Sequence, residues 1–347
     1  MKAALLRGIE DLVYQDRPVP EPGPGELLVK VRACAVCGTD VKIYHHGHRL
    51  IRFPRVTGHE IAGEVAGAGA GVSEFRVGDR VQLAAAVPCG ECFFCRRGAP
   101  AMCDRLIAVG YHFDGGFAEY LKVPERMLRN ACVNRIPDGL PFEEAALAEP
   151  LACVINGQER SGIGFGSTVL VLGAGPIGCF HAQLARRRGA FRVIVSDPDP
   201  ARLEAARFTG ADRYVNPGSE DPAAAVREIN GGRLADQVMV ATGAGIAQEQ
   251  SLQLVDKRGT VNFFGGLPKG QTVNLDTNLI HYGELRVVGT HGSAPSHNAQ
   301  ALALLAGGSI PGRPYLSAVF PLADIGSALA AAEARQGLKV IVRPTES

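Results

Sequence analysis

The chain has 347 residues, 36 of them basic and 35 acidic, and a net charge of +1, so no global field draws it to nucleic acid or anionic lipid. A chain this long buries most of the surface it would expose unfolded and needs no disulfide staples, and its nine cysteines are an odd number. With no early apolar run of signal-peptide length and no bilayer-spanning one, a cytoplasmic protein with reduced thiols and no membrane partner is expected, and 43 glycines with 22 prolines imply many tight turns.

From the N-terminus, a rigid connector (PVPEPGPGE) leads into short β-rich runs, ELLVKVRACAV, IAGEVAGAG and DRVQLAA, separated by Gly, Pro and Asp. They predict an irregular β domain. Within it CAVCGTD supplies Cys37, GHE supplies His59 and Glu60, and AEPLAC supplies Glu149. A catalytic zinc takes about three protein ligands and keeps a position open for water or substrate, and these four are its candidates. Taken singly, Cys37 also fits a small core residue, His59 a turn histidine and Glu149 a helix-end carboxylate. Between these motifs, Cys89, Cys92, Cys95 and Cys103 are spaced C-x2-C-x2-C-x7-C, with Gly90 and Gly98 to make the turns. Such a loop presents four thiolates tetrahedrally to a structural zinc, and a redox C-x-x-C pair would not need the third and fourth thiols. Cys34, Cys132, Cys153 and Cys179 are expected to fill core space.

Near residue 155 the pattern changes to strand and helix in alternation: TVLVLG, PIGCFHAQLARRRG, RVIVSD, PARLEAARFTG, then strands at ADRYVN, DQVMVAT, GTVNFFG and ELRVVGT. This predicts a doubly wound parallel sheet over 156–290, after a metal-binding domain over 1–155. The remaining stretch, 291–347, with one helical run (HNAQALALLAGG) and a final helix and strand, is too short for a domain and is expected to complete the first. Arg186, Arg187 and Arg188 read as the solvated end of a helix. The turn Gly173-Ala174-Gly175-Pro176-Ile177-Gly178 follows an apolar strand and opens a helix, the context in which G-x-G-x-x-G binds a dinucleotide diphosphate at a helix N-terminus. Asp197 ends the next strand 19 residues past Gly178, where a carboxylate accepts the adenosine ribose hydroxyls. With Pro198 and Asp199 after it, the cofactor is read as NAD rather than NADP. Arg202 points the other way, unless it packs on the adenine or pairs with Asp197. Thr242, at the end of its strand, lies on the carboxyl edge where ligands bind.

CGTD, GHE, GDRV, the four-cysteine lobe, DGGFAEY, AEPL and VLGAGPIG occur in the order found in the medium-chain zinc-dependent alcohol dehydrogenases, and the chain resembles most their polyol branch of sorbitol, galactitol-phosphate and threonine dehydrogenases. The resemblance covers essentially the whole chain. It implies a GroES-like catalytic domain with a Rossmann domain, two zinc ions per chain and a homodimer or homotetramer. It implies that Cys37 and His59 are direct ligands while Glu60 and Glu149 share the remaining role, directly or through water. Thr39 matches the family's relay hydroxyl, but Lys42 stands where a relay histidine is usual, which counts against threonine as substrate. By the same resemblance Pro176, Ile177, Arg202, Phe264, Gly265, Gly266, Thr290 and His291 contact the cofactor. His45, His46 and His48 either line the substrate mouth or sit in solvent. YHHGHRLIRFP, with Arg49 and Arg52, suits a polyhydroxylated, aminated or phosphorylated small molecule. The expected reaction is hydride transfer from a secondary alcohol of a polyol, cyclitol or amino-cyclitol to NAD. A threonine or simple alcohol dehydrogenase is the enzymatic alternative. A zinc-finger-like nucleic-acid binder leaves the glycine turn unexplained, and a catalytically silent, dinucleotide-binding interaction protein leaves Cys37, His59 and Glu149 unexplained.

Overall fold

The computed structural model describes residues 1–345, which form two compact units, Met1–Ala152 with the chain from Gly292 onward, and Cys153–His291. In the first unit a hairpin of β1 (Lys2–Gly8) and β2 (Asp11–Asp16) precedes β3 (Leu27–Ala35). Leu27, Val29, Val31 and Ala33 alternate inward along β3, the period-2 signature of a sheet with one covered face. After β3 comes the helix α1 (Gly38–His46), then β4 (Glu60–Ala68), β5 (Arg80–Leu83), β6 (Tyr120–Val123) and β7 (Val133–Arg135).

The second unit begins within α2 (Ala148–Ser161) and holds β8 (Thr168–Leu172), α3 (Pro176–Arg187), β9 (Arg192–Ser196), β10 (Arg213–Val215), β11 (Ala235–Val240), β12 (Val255–Phe263) and β13 (Arg286–Gly289). Its strands make an all-parallel sheet in the order β10-β9-β8-β11-β12-β13. The order reverses between β8 and β11, and every residue of β8 is buried, as a central strand covered on both faces must be. Arg186 is not simply solvated: it is paired with Asp212 and donates to the carbonyls of Ala190 at 3.1 Å and Phe191 at 2.9 Å, which pins the end of α3.

Back in the first unit, the chain from Gly292 contributes β14 (Leu316–Pro321), α4 (Ile325–Glu333) and β15 (Lys339–Arg343). The first-unit sheet runs β7-β5-β4-β3-β15-β14, with β6 also paired to β3. The strand β14 has no counterpart in the sequence reading; its burial alternates along LSAVFP, and it joins the sheet parallel to β15. No helix among the described residues is long and apolar enough to cross a membrane.

Candidate active site

Strand register builds the first half of the site. Antiparallel pairing of β3 with β4 sets Ala35 opposite Glu60, so Cys37, just past β3, and His59, just before β4, arrive at the same end of the sheet. β15 pairs Ile341 with Ala35, which brings Lys339 to that end as well. Gly58 turns the chain into His59 with φ +89°, and a Cβ there would lie 2.8 Å from the Cys34 sulfur and 3.0 Å from the Phe117 ring, so only glycine fits.

Cys37 caps α1. Its backbone N–H donates to Asp40 Oδ2 at 2.9 Å, Gly58 N–H donates to Asp40 Oδ1 at 3.3 Å, and His59 Nδ1 lies 3.5 Å from the same oxygen. Asp40 is buried, so its carboxylate depends on these partners. Burial disfavours a proton on His59, yet Asp40, Tyr111 and Cys37 together outweigh it and lift the imidazole pKa well above its ordinary value. His59 Nδ1 faces Asp40 without a hydrogen bond, an arrangement like the carboxylate–histidine support of a metal site that would leave Nε2 to ligate. Thr39 Oγ1 lies 3.5 Å from the Cys37 sulfur.

Ligand atoms of Cys37, His59 and Glu60 all lie within 4.8 Å of one another, a sulfur, nitrogen and oxygen donor set that suits zinc. Glu149 is buried but falls outside that set, although its charge acts on Tyr111 and on Lys339. Both oxygens of Glu60 meet Lys339 Nζ at 2.5 Å, and Lys339 also donates to the Val36 carbonyl at 3.4 Å. Burial works against the lysine's charge, but Glu60 holds its pKa above the ordinary value. Sequence reasoning missed Asp40 and Lys339. Asp40 had a signal, an acid three residues past a candidate ligand and so positioned to reach back to an N-cap; Lys339 had none.

The four-cysteine lobe is a second cluster in the same unit. The sulfurs of Cys89, Cys92, Cys95 and Cys103 lie within 4.8 Å of one another, with separations of 3.5 Å for Cys92–Cys95, 3.8 Å for Cys92–Cys103 and 3.9 Å for Cys89–Cys95. A tetrahedron with Zn–S bonds of 2.3 Å has edges of about 3.8 Å, so the cage fits the ion. Backbone N–H groups of Cys89 and Cys92 donate to the sulfurs of Cys103 and Cys89. A further backbone hydrogen bond, from Glu91, together with these contacts holds the Cys89 thiol down at about 6.

The second unit carries the glycine turn. Gly173 has φ +109°, and Gly175 N-caps α3 with Pro176 at its first position. A Cβ on Gly178 would lie 1.7 Å from the Gly173 carbonyl, so the turn closes onto the helix only with glycine there. Asp197 is buried and already engaged: Ala174 N–H donates to Oδ2 at 2.8 Å and Asp199 N–H to Oδ1 at 2.9 Å. It therefore braces the turn, with one lone pair on each oxygen left for a ligand. No ion pair joins it to Arg202 among the described residues, which removes that option; a Cβ on Gly175 would sit 3.0 Å from Arg202 Nη1, and the buried Arg202 Nε has no partner.

Thr242 follows β11, and its Oγ1 accepts from Ala244 N–H at 3.3 Å. Gly265 is pressed onto it, since a Cβ would meet the Thr242 carbonyl at 2.2 Å, and the carbonyl of Gly266 closes on Gly243. The Phe264 ring packs edge-on to His181 at 4.8 Å. Thr290 Oγ1 donates to Asn262 Oδ1 at 3.0 Å, and the His291 carbonyl accepts from Asn156 at 3.4 Å. Thr242, Phe264–Gly266 and Thr290–His291 all lie just past the carboxyl ends of β11, β12 and β13.

A metal-binding unit of GroES-like topology with a Rossmann unit that carries a dinucleotide turn defines a zinc-type dehydrogenase. Comparison with known proteins agrees. Residues 23–135 match the family model "Alcohol dehydrogenase GroES-like domain" and residues 176–307 the model "Zinc-binding dehydrogenase". The chain is 35% identical over 326 residues to L-galactonate-5-dehydrogenase of Escherichia coli K12, covering 94% of this chain and 93% of that one. It is 40% identical over 277 residues to L-threonine 3-dehydrogenase of Pyrococcus horikoshii, covering 79% and 78%. A zinc-binding dehydrogenase of Sinorhizobium meliloti 1021, solved with NADP bound, superposes with a TM-score of 0.91 at 36% identity over 99% of each chain. The chain belongs to the zinc-dependent medium-chain dehydrogenases, in their polyol branch.

The two clusters make separable expectations. Cys37→Ser should lose one zinc equivalent and more activity than the roughly 10–100-fold typical of an outer-shell partner, with little change in Tm. Cys95→Ser should lose the other equivalent and lower Tm, because a closed thiolate site contributes folding energy. Metal analysis and thermal melts of both variants check this; full activity in Cys37→Ser protein that lacks the second zinc contradicts it.

Proposed function

We propose that this polyol-type dehydrogenase oxidises a secondary alcohol of a polyol or cyclitol with NAD, with Cys37, His59 and a carboxylate as the metal set. The observation that supports the reading most is the convergence of Cys37, His59 and Glu60 beside Thr39, with Asp40 behind them. Zinc held there would supply the Lewis acidity that brings a substrate hydroxyl's pKa toward neutrality, and NAD the hydride acceptor. Of the two carboxylates, Glu60 is tethered by Lys339, and Glu149 is the second candidate for the remaining position.

The chain's own groups handle the proton. Thr39 Oγ1, at the edge of the ligand set, accepts it from the substrate hydroxyl as its own proton passes to water. Lys42 follows three residues on, on the same face of α1 and exposed; its ammonium has no lone pair to take the proton, so it acts on the relay through its charge while water carries the proton away. An aminated cyclitol is disfavoured, because Arg49, next to His48, has no acid partner among the described residues.

For the cofactor, Asp197 and Asp199 favour NAD, since a 2′-phosphate would meet carboxylates it cannot neutralise. NADP is the second reading, favoured by the unpaired Arg202 over the glycine turn and by the NADP-bound relative.

With a panel of sugar alcohols and cyclitols scored by cofactor absorbance, NAD should give the higher kcat/KM; a higher value for NADP overturns that choice, and no reduction with any member overturns the proposed activity. On an established substrate Thr39→Val should lower kcat by roughly 10²–10⁴, the worth of a general acid–base step, while Lys42→Ala mainly shifts the pH profile. A Thr39→Val enzyme with unchanged rate and pH profile eliminates the relay.

A further inference from the structure

Tyr111 links the metal set to a cluster of basic groups. Its ring lies 5.8 Å from that of His59 on one side and packs edge-on to His48 at 5.2 Å on the other. Its phenol O–H can both donate and accept a hydrogen bond. That hydroxyl has no hydrogen-bond partner among the described residues. His112 follows Tyr111 in the chain, and Arg49 follows His48.

The two imidazoles are set in the same tautomer. Leu50 N–H donates to His48 Nδ1 at 3.2 Å, and Ala108 N–H donates to His112 Nδ1 at 3.1 Å. Each Nδ1 is therefore an acceptor, and each ring carries its proton on Nε2, pointing a donor away from the backbone. A ring in this state cannot ligate a metal through Nε2, and neither histidine belongs to a metal-type cluster. Both resist a second proton: partial burial, then Arg49 and His112, depress His48, and partial burial, then Arg55 and Arg126, depress His112. Arg49 has no acid partner among the described residues. The acids nearby are accounted for: Asp114 is paired with Arg17 at 2.9 Å and Arg55 at 3.1 Å, Asp40 accepts the N–H groups of Cys37 and Gly58, and Glu149 is a candidate for the metal set.

The cluster thus offers two Nε2–H donors, an unpaired guanidinium and a phenol, and no carboxylate. A neutral polyol leaves the Arg49 charge unpaired, and an ammonium would be repelled. A carboxylate or phosphate accepts from every one of these groups and pairs with the Arg49 guanidinium. We propose that Tyr111, His48, Arg49 and His112 form a subsite for an oxyanion carried by the polyol, several bonds from the carbon that is oxidised beside Cys37 and His59. This rests on the dehydrogenase reading above and narrows its substrate class to acidic sugars and sugar-alcohol phosphates.

The test compares D-glucitol with D-gluconate and D-glucitol 6-phosphate, using zinc-loaded protein, by calorimetric binding and by cofactor reduction. At least one of the two anions should bind at least about 10-fold more tightly than D-glucitol, and which of them leads tells a carboxylate site from a phosphate site. Arg49→Ala with His48→Gln should bring the anion-to-neutral ratio close to one, with the change in Kd and KM rather than in kcat; Arg49→Ala alone, at an exposed position, should move the ratio part of the way. Equal binding of anions and D-glucitol by the unmodified protein, or a ratio that survives the double substitution, overturns the subsite. Because the binding ratio is read without turnover, it stands or falls separately from the dehydrogenase reading, which fails if no alcohol reduces NAD or NADP.

Discussion

Sheet register delivers Cys37 and His59 to one place, but a single buried carboxylate determines what they can do there. Asp40 accepts the backbone N–H of Cys37 and of Gly58 and faces His59 Nδ1, so it fixes the start of α1, the turn into β4 and the orientation of the imidazole together. A carboxylate removed from water is tolerated only with such partners, and each partner is in turn a piece of the site. The Glu60–Lys339 pair repeats the logic: two buried charges that must hold each other, one a candidate ligand and one from the last strand. The chain after Gly292 is thereby tied to the metal set, although it contributes no candidate ligand.

The second unit is similarly economical with its polar groups. Asp197 braces the glycine turn before any ligand arrives, and Thr290 is committed to Asn262, so both sit with fixed geometry at the carboxyl edge of the sheet. Arg202 is the exception, a buried guanidinium nitrogen without a partner next to the diphosphate turn. That contrast is why the choice between NAD and NADP is a balance of Asp197 and Asp199 against one arginine.

Much of this was legible in the sequence because its signals are local. The alternation of apolar strands and helices after residue 155 announced the parallel sheet, and the spacing of Cys89, Cys92, Cys95 and Cys103 announced a cage whose sulfurs do come together. What escaped were features set by distant register. Lys339 reaches Glu60 only because β15 pairs with β3, and β14 adds a strand whose short alternating run resembles many solvated loops. The helix α1 carries no apolar stripe to announce it, and the edge-on contact of Tyr111 with His48 joins residues far apart in the chain. Family resemblance supplied roles for Thr39, Glu149 and the nicotinamide-side turns that spacing alone would not give. Within the folded chain the 4.8 Å donor set takes in Cys37, His59 and Glu60 and leaves Glu149 outside.

If Asp40 organises the metal set, the most direct measurement is zinc retention by Asp40→Asn protein under a competing chelator at controlled free zinc. The lobe cysteines provide an internal reference that the substitution does not touch. The expected result is one zinc equivalent retained as in the unmodified protein and the other held about 10–100-fold more weakly, with activity falling in parallel. Two equivalents held with unchanged affinity and full turnover would contradict it.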